Sequence, residues 1–85
     1  MADFLTIYNK LPDGLKDKFL IKKRERAIEI VQDKIKLEGK TYKDFDYDIM
    51  EKMIDHEEKK LSNSQLKALL LTFLALEGLT HLAEI

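Results

Sequence analysis

The 85-residue sequence contains no cysteine, which excludes disulfide bonds and thiolate metal sites. Small secreted domains usually depend on disulfide bonds or on a metal site for stability. In addition, residues 1–4 lack the basic start of a signal peptide. The longest apolar-rich stretch, residues 66–76, is about half as long as a bilayer span requires. We therefore expect a soluble, cytoplasmic protein that does not enter membranes.

Proline and glycine are scarce, with one and three copies, which argues against an all-β fold rich in tight turns. Hydrophobic residues make up 45% of the chain, more than is typical of a disordered protein. A chain of this length forms one domain at most. The sequence therefore predicts one all-α domain over residues 1–85, a small bundle of three long helices plus a short N-terminal helix.

Start and stop signals set the boundaries of four predicted helices. Asp3 can cap the first helix, and Pro12 ends it because proline disfavours a helical residue before it. Gly39 lies where a left-handed residue often ends a helix, and Ser62 with Gln65 has the spacing of a capping box. The predicted helices cover residues 3–11, 15–38, 42–60 and 63–83.

The second and third helices each have one predicted apolar stripe. Arg24 falls within the first stripe, and the favoured interpretation is a stem that packs while the charged head reaches water. The alternative is that Arg24 faces a partner or takes part in an ion pair. On the third helix, His56 is expected at the edge of the core. The two stripes are Leu20, Ala27, Ile28, Val31 and Ile35, and Tyr42, Phe45, Ile49, Met53 and His56.

The C-terminal helix carries more apolar residues than one face requires, since only Lys67 and Thr72 are polar between Leu66 and Leu76. A helix that is apolar on almost every side must be buried on almost every side. Three neighbours with one stripe each are too few, so a second copy is the favoured cover and a monomeric bundle the alternative. The predicted homodimer interface comprises Leu66, Ala68, Leu69, Thr72, Phe73, Ala75, Leu76 and Leu79.

Charge is divided unevenly along the chain, although the formal net charge is only −1. Residues 1–40 hold 10 basic and 7 acidic side chains, and residues 41–85 hold 5 and 9. An acidic face on the third helix is expected to be solvated or paired with lysines of the second helix. The alternative is a docking surface for a basic partner or an imitation of a nucleic-acid backbone. This acidic face consists of Asp44, Asp48, Glu51, Asp55 and Glu58.

A basic segment over residues 16–26 could neutralise phosphates. It has one interleaved aromatic residue, Phe19, and it follows no helix-turn-helix spacing. The favoured interpretation is therefore a solvated helix face, and nucleic-acid binding is the alternative. The basic face comprises Lys16, Lys18, Lys22, Lys23, Arg24 and Arg26.

No pattern of residues indicates catalysis, a cofactor or a metal. His56 has no ligand type three or four residues away, and the single pair of His81 and Glu84 is short of the three or four ligands that zinc requires. Phosphate loops, dinucleotide fingerprints and nucleophile elbows are absent from the sequence. We therefore expect no enzyme activity, no metal and no cofactor.

The sequence favours a non-catalytic interaction module: a small regulator, inhibitor or assembly subunit. Its apolar C-terminal helix would drive oligomerisation, and its charged faces would dock a protein partner. Steering by charge would set the association rate, and apolar burial the affinity. The alternative is a dimer that binds nucleic acid through residues 16–26.

Overall fold

The computed structural model describes residues 3–83, and within that range every regular element is helical. The predicted all-α class is confirmed. No helix of the described part combines the length and the apolar character that a bilayer crossing demands. The helices are α1 (Phe4–Asn9), α2 (Asp13–Leu37), α3 (Tyr47–Lys60) and α4 (Asn63–Leu76), with short 3₁₀ turns at Tyr42–Asp44 and Thr80–Ala83.

Two predicted caps form as the sequence indicates. The carboxylate of Asp3 accepts a hydrogen bond from the Thr6 N–H at 2.9 Å, which holds the pKa of Asp3 below its ordinary value. At α4, the Gln65 N–H donates to the Ser62 hydroxyl, and the Ser62 N–H donates to the Gln65 side chain. This reciprocal pair satisfies two backbone donors that the start of a helix leaves without partners.

Glycine ends α2 and α4 in the same way. Gly39 and Gly78 have φ values of 74° and 72°, a left-handed conformation that other residues adopt only with strain. After each glycine, the next N–H bonds back to the carbonyl of the helix, from Lys40 to Ile35 and from Leu79 to Leu74. Both ends are therefore Schellman motifs. The end at Gly39 was predicted, but the extension of α4 to residue 83 was wrong.

The predicted third helix is interrupted near its start. Asp44 accepts a hydrogen bond from the Thr41 N–H at 2.8 Å and supports only a single 3₁₀ turn. Phe45 then has extended backbone angles, and α3 begins at Tyr47. The continuous helix predicted over residues 42–60 was therefore wrong in its first turn. The second helix also starts earlier than predicted, because the Pro12 carbonyl accepts from the N–H groups of Leu15 and Lys16.

The chain divides into two compact units, and α2 contributes to both. The first unit comprises residues 3–23 and 61–83 of the described range. Its core contains four aromatic rings, with Phe19 completely buried and ring centroids 5.6 Å from Phe4 and 5.9 Å from Tyr8 and Phe73. The buried residues of this core are Phe4, Ile7, Leu11, Phe19, Leu70, Phe73 and Leu74.

The second unit, Arg24–Lys60, has a smaller core of its own. Ile54 of α3 packs with one face of α2, and Phe45, Met50 and Met53 cover this cluster in part. The buried positions contributed by α2 are Ala27, Val31 and Ile35.

Several predicted core positions face water instead. Leu20 is 44% exposed, and the buried aromatic on that part of α2 is its neighbour Phe19. On the predicted stripe of the third helix, Tyr42, Ile49 and His56 are exposed. The face of α3 that packs is rotated from the predicted one, since Ile54 and Glu57 are buried and Met50 and Met53 pack beside them.

Candidate functional site

The second unit contains a guanidinium held by three carboxylates. Arg24 Nη1 donates to Asp55 Oδ1 at 2.6 Å and to Glu58 Oε2 at 2.9 Å, while Nη2 donates to Glu51 Oε2. The three acidic residues are four and three positions apart on α3 and therefore lie on one face of that helix. Hydrogen bonds to Asp55 and then Glu58 raise the pKa of Arg24 above its ordinary value. We call these four residues the Arg24 cluster.

The Arg24 cluster accounts for most of the predicted acidic face. Glu51, Asp55 and Glu58 are engaged by Arg24, and Glu58 retains only 20% side-chain exposure. The remaining two members lie elsewhere: Asp44 caps the 3₁₀ turn, and Asp48 is exposed in the first turn of α3. The structure thus brings three of the five residues together around an arginine that the sequence placed in a packing stripe.

A second ion pair joins α2 to α3 through Glu57, a residue that the sequence did not single out. Glu57 is 9% exposed, and its Oε1 accepts a hydrogen bond from Lys34 and lies 3.7 Å from Lys60 Nζ. The bond from Lys34 is the main reason that the pKa of Glu57 lies below its ordinary value of 4.5. No sequence pattern indicated this role, because Ile54, three residues before Glu57, lies outside the predicted apolar stripe of the third helix.

Glu57 should make the stability of the protein depend on pH. Its depressed pKa means that its contribution is complete above the ordinary value of 4.5 and is lost as pH falls through the folded-state pKa. Glu57→Gln should therefore be less stable than the wild type at neutral pH and converge with it in acid. Urea unfolding followed by circular dichroism across a pH series measures this difference.

The matched control for that series is Glu38→Gln, since Glu38 is exposed just after the end of α2. This variant should follow the wild-type curve throughout. A constant offset between Glu57→Gln and the wild type from neutral to strongly acidic pH would contradict the role assigned to the Glu57 charge.

The predicted basic face is largely engaged within the chain. Lys16 Nζ lies 5.7 Å from the centroid of the Tyr8 ring, and Lys18 Nζ is 3.9 Å from Glu77 Oε2. Arg24 belongs to the Arg24 cluster, and Arg26 bonds to Glu29 at 3.1 Å. Lys22 is exposed and Lys23 is half-buried. The two arginines, which would be the strongest phosphate ligands of this segment, are thus bound to carboxylates.

The predicted oligomer interface divides into a buried side and an exposed side of α4. Phe73 belongs to the core of the first unit, and Leu66, Leu69 and Leu79 are half-buried against it. Four other members are exposed, and the unpredicted Leu71 joins them at 37%. We call the exposed set the α4 face; it consists of Ala68, Leu71, Thr72, Ala75 and Leu76.

The α4 face contains no charge. Lys67 is the one charged residue of α4, and it lies half-buried outside this face. The polar group of Thr72 is satisfied within the helix, because its hydroxyl donates to the Ala68 carbonyl at 3.0 Å. Leu76 is 77% exposed. The face thus offers a surface of apolar and small side chains whose removal from water leaves no charged group unpaired.

Neither histidine has a set of metal ligands around it among the described residues. Within residues 3–83, no group of three His, Cys, Asp or Glu side chains could hold a metal ion. His56 and His81 are both exposed, and Glu84, the other half of the weak pair noted in the sequence, lies outside the described residues.

Comparison of the chain with protein-family models, with curated proteins and with solved structures finds no match. Among the described residues, the α4 face is the strongest candidate site.

Proposed function

We propose that this protein is a non-catalytic protein–protein interaction module that self-associates through the α4 face, acting as a small regulator, inhibitor or assembly subunit. The observation that carries the proposal is the charge-free exposed side of a helix whose opposite side already forms a core. Exposed apolar surface that continues along a helix is typical of interaction sites. A second copy is the occupant that we assign to it.

The energetic reason for association is the burial of leucine. Full burial of a leucine side chain contributes about 1.5–3 kcal/mol, and Leu76 is 77% exposed in the single chain. A two-fold interface buries each such side chain twice, once from each copy. Ala68 and Ala75 leave room for a facing helix to approach closely.

The order of residues on α4 favours an antiparallel arrangement of the two copies. If Thr72 faces its own equivalent across a two-fold axis, then Leu76 of one copy lies opposite Ala68 of the other. A large side chain then meets a small one on both sides of the axis. The same face therefore serves as knob and as hole, which is what a self-complementary interface requires.

The alternative function, nucleic-acid binding through residues 16–26, has less support. Arg24 and Arg26 are bonded to carboxylates, and Lys18 lies close to Glu77. Binding to phosphates would have to break these contacts before new ones could form. The chain is also slightly acidic overall, so its net charge does not attract nucleic acid.

Ala75→Arg tests the proposed interface directly. A long charged side chain placed on the α4 face should block close approach and leave a charge without a partner. We expect size-exclusion chromatography with light scattering to give a wild-type mass near twice the 10.0 kDa chain, and a variant mass near the single chain. In a dilution series of both proteins, the mean mass of the wild type should fall gradually as its dimer dissociates.

Asn9→Arg is the control, because it adds the same group at an exposed position of α1. It should keep the wild-type mass. Dimers of equal stability in Ala75→Arg and the wild type would remove the α4 face from the interface. A wild type that is monomeric at every concentration would reject self-association itself.

A further inference from the structure

A surface groove of about 290 Å³ lies within the second unit, at the C-terminal end of α2. Its lining consists of Gln32, Ile35, Lys36, Lys40, Thr41 and Tyr42. The Schellman motif at Gly39 forms it, since the reversal of the chain there returns Thr41 and Tyr42 beside the last turns of α2. This volume is near the lower end of protein ligand sites, about 300 Å³.

The groove is mostly apolar. Ile35 is 3% exposed and belongs to the core of the second unit, whereas Tyr42 is 58% exposed. When a ligand covers a large aromatic ring that is this exposed, apolar surface of the ring is removed from water. The groove therefore fits a large hydrophobic side chain better than a polar group.

The two charged side chains that line the groove are both positive. Lys36 and Lys40 are the only ionisable side chains that line it apart from the tyrosine, and no carboxylate does. Lys40 is positioned by a contact of its Nζ with the Phe45 ring, 5.7 Å from the centroid. Lys36 has no ion-pair partner within residues 3–83, in contrast to Lys34 and Arg24 on the same helix.

We propose that this groove binds an acidic peptide segment of a partner protein, which inserts one large apolar side chain beside Tyr42 and places carboxylates near Lys36 and Lys40. The apolar lining provides the contact that holds the side chain, and the two lysines select against basic sequences. A nucleobase fits less well, since its polar edges would meet mainly hydrocarbon there. This site is separate from the α4 face and does not depend on self-association.

A titration by NMR with short synthetic peptides tests the proposal on the intact chain. The probe is an acetylated and amidated peptide with one Phe between two pairs of Glu. A first matched control peptide has Ala in place of the central Phe and therefore lacks the apolar anchor. A second matched control peptide has Lys in place of each Glu and therefore carries the opposite charge. We expect the Phe–Glu peptide to shift the amide resonances of residues 32–42, and each matched peptide to bind at least about tenfold more weakly.

Lys36→Glu should reduce affinity for the Phe–Glu peptide by about tenfold or more, because it replaces an attractive charge with a repulsive one. Lys52→Glu makes the same change at an exposed position of α3 outside the groove lining and should bind as the wild type does. Increasing salt should weaken binding to the wild type. Circular dichroism of both variants establishes that they fold, as expected for exposed sites.

Three results would overturn the proposal. The first is that the Phe–Glu peptide causes no shifts in residues 32–42 at millimolar concentration. The second is that the Ala or Lys peptide binds as tightly as the Phe–Glu peptide. The third is that these resonances shift on dilution of the protein alone, which would make a second copy the occupant. The first two results do not bear on the mass measurement with Ala75→Arg.

Discussion

Phe19→Ala should lower the free energy of unfolding by about 3–5 kcal/mol, the loss typical of removing a buried aromatic ring. Phe19 is completely buried, and three other rings surround it at centroid distances of 5.6–5.9 Å. The side chain that disappears therefore leaves a cavity that its neighbours cannot easily fill. A domain of this size has a total stability of about 5 kcal/mol or little more, so the variant should be largely unfolded at 37 °C.

Leu20→Ala is the matched control for Phe19→Ala. Leu20 is the adjacent residue on α2 and is 44% exposed, so its truncation should cost less than about 1 kcal/mol. Urea unfolding monitored by circular dichroism gives both values. A greater loss from Leu20→Ala than from Phe19→Ala would contradict the central position of Phe19 in the core of the first unit.

Arg24→Glu should destabilise the second unit by about 2–4 kcal/mol. The change removes hydrogen bonds to Asp55, Glu58 and Glu51 and puts a fourth carboxylate among them. Because the Arg24 side chain is 31% exposed, water screens part of this repulsion, and the loss should be smaller than for a fully buried pair. Hydrogen exchange should show faster opening of the α3 amides, in addition to a lower urea midpoint.

The control for Arg24→Glu is Arg26→Glu on the same helix. Arg26 is half-exposed, and within residues 3–83 its side chain bonds only to Glu29, three residues along α2. Its reversal should cost well under 1 kcal/mol, in line with exposed pairs on a helix. Equal losses from the two variants would mean that the Arg24 cluster adds no more than an ordinary surface ion pair. Loss of α3 protection in Arg26→Glu alone would contradict the geometry outright.

The local signals in the sequence were sufficient to locate most helix ends. The caps at Asp3 and Ser62 and the stop at Gly39 each depend on a few neighbouring residues, and each is found as predicted. Gly78 is the same kind of glycine stop as Gly39, and applying that rule at Gly78 predicts the correct end of α4. The break at Phe45 could not be read in this way, because the cap at Thr41 supports either one turn or a whole helix.

The packing faces were harder to predict, since they depend on how the buried positions advance around a helix. Apart from Ile28, the α2 residues that pack in the two cores are Leu15, Phe19, Ala27, Val31 and Ile35, which are spaced at multiples of four residues. Each four-residue step advances about 40° beyond a full turn, so one straight stripe cannot contain all of them. A straight stripe drawn from Ala27 and Val31 reaches Leu20 instead of Phe19. The prediction therefore placed Leu20 in the core, whereas Phe19 is the buried residue.

The candidate sites were predicted only in part for a similar reason. Spacing alone put Glu51, Asp55 and Glu58 on one side of α3, but it gave no information on which cation would reach them. That choice depends on the rotation of α3 relative to α2 within the second unit, a property of the packed core. The exposed half of α4 followed more directly, since a helix with one charged residue has more apolar surface than a single core can cover.

The helix α2 is continuous through residues 13–37 and gives each unit part of the same helix. Starting a helix is costly because several residues must be ordered for one hydrogen bond, whereas extending an existing helix adds one bond per residue. Whichever unit forms its turns of α2 first therefore supplies a nucleus for the other. Folding of the two units is coupled through the backbone, even though each has its own core.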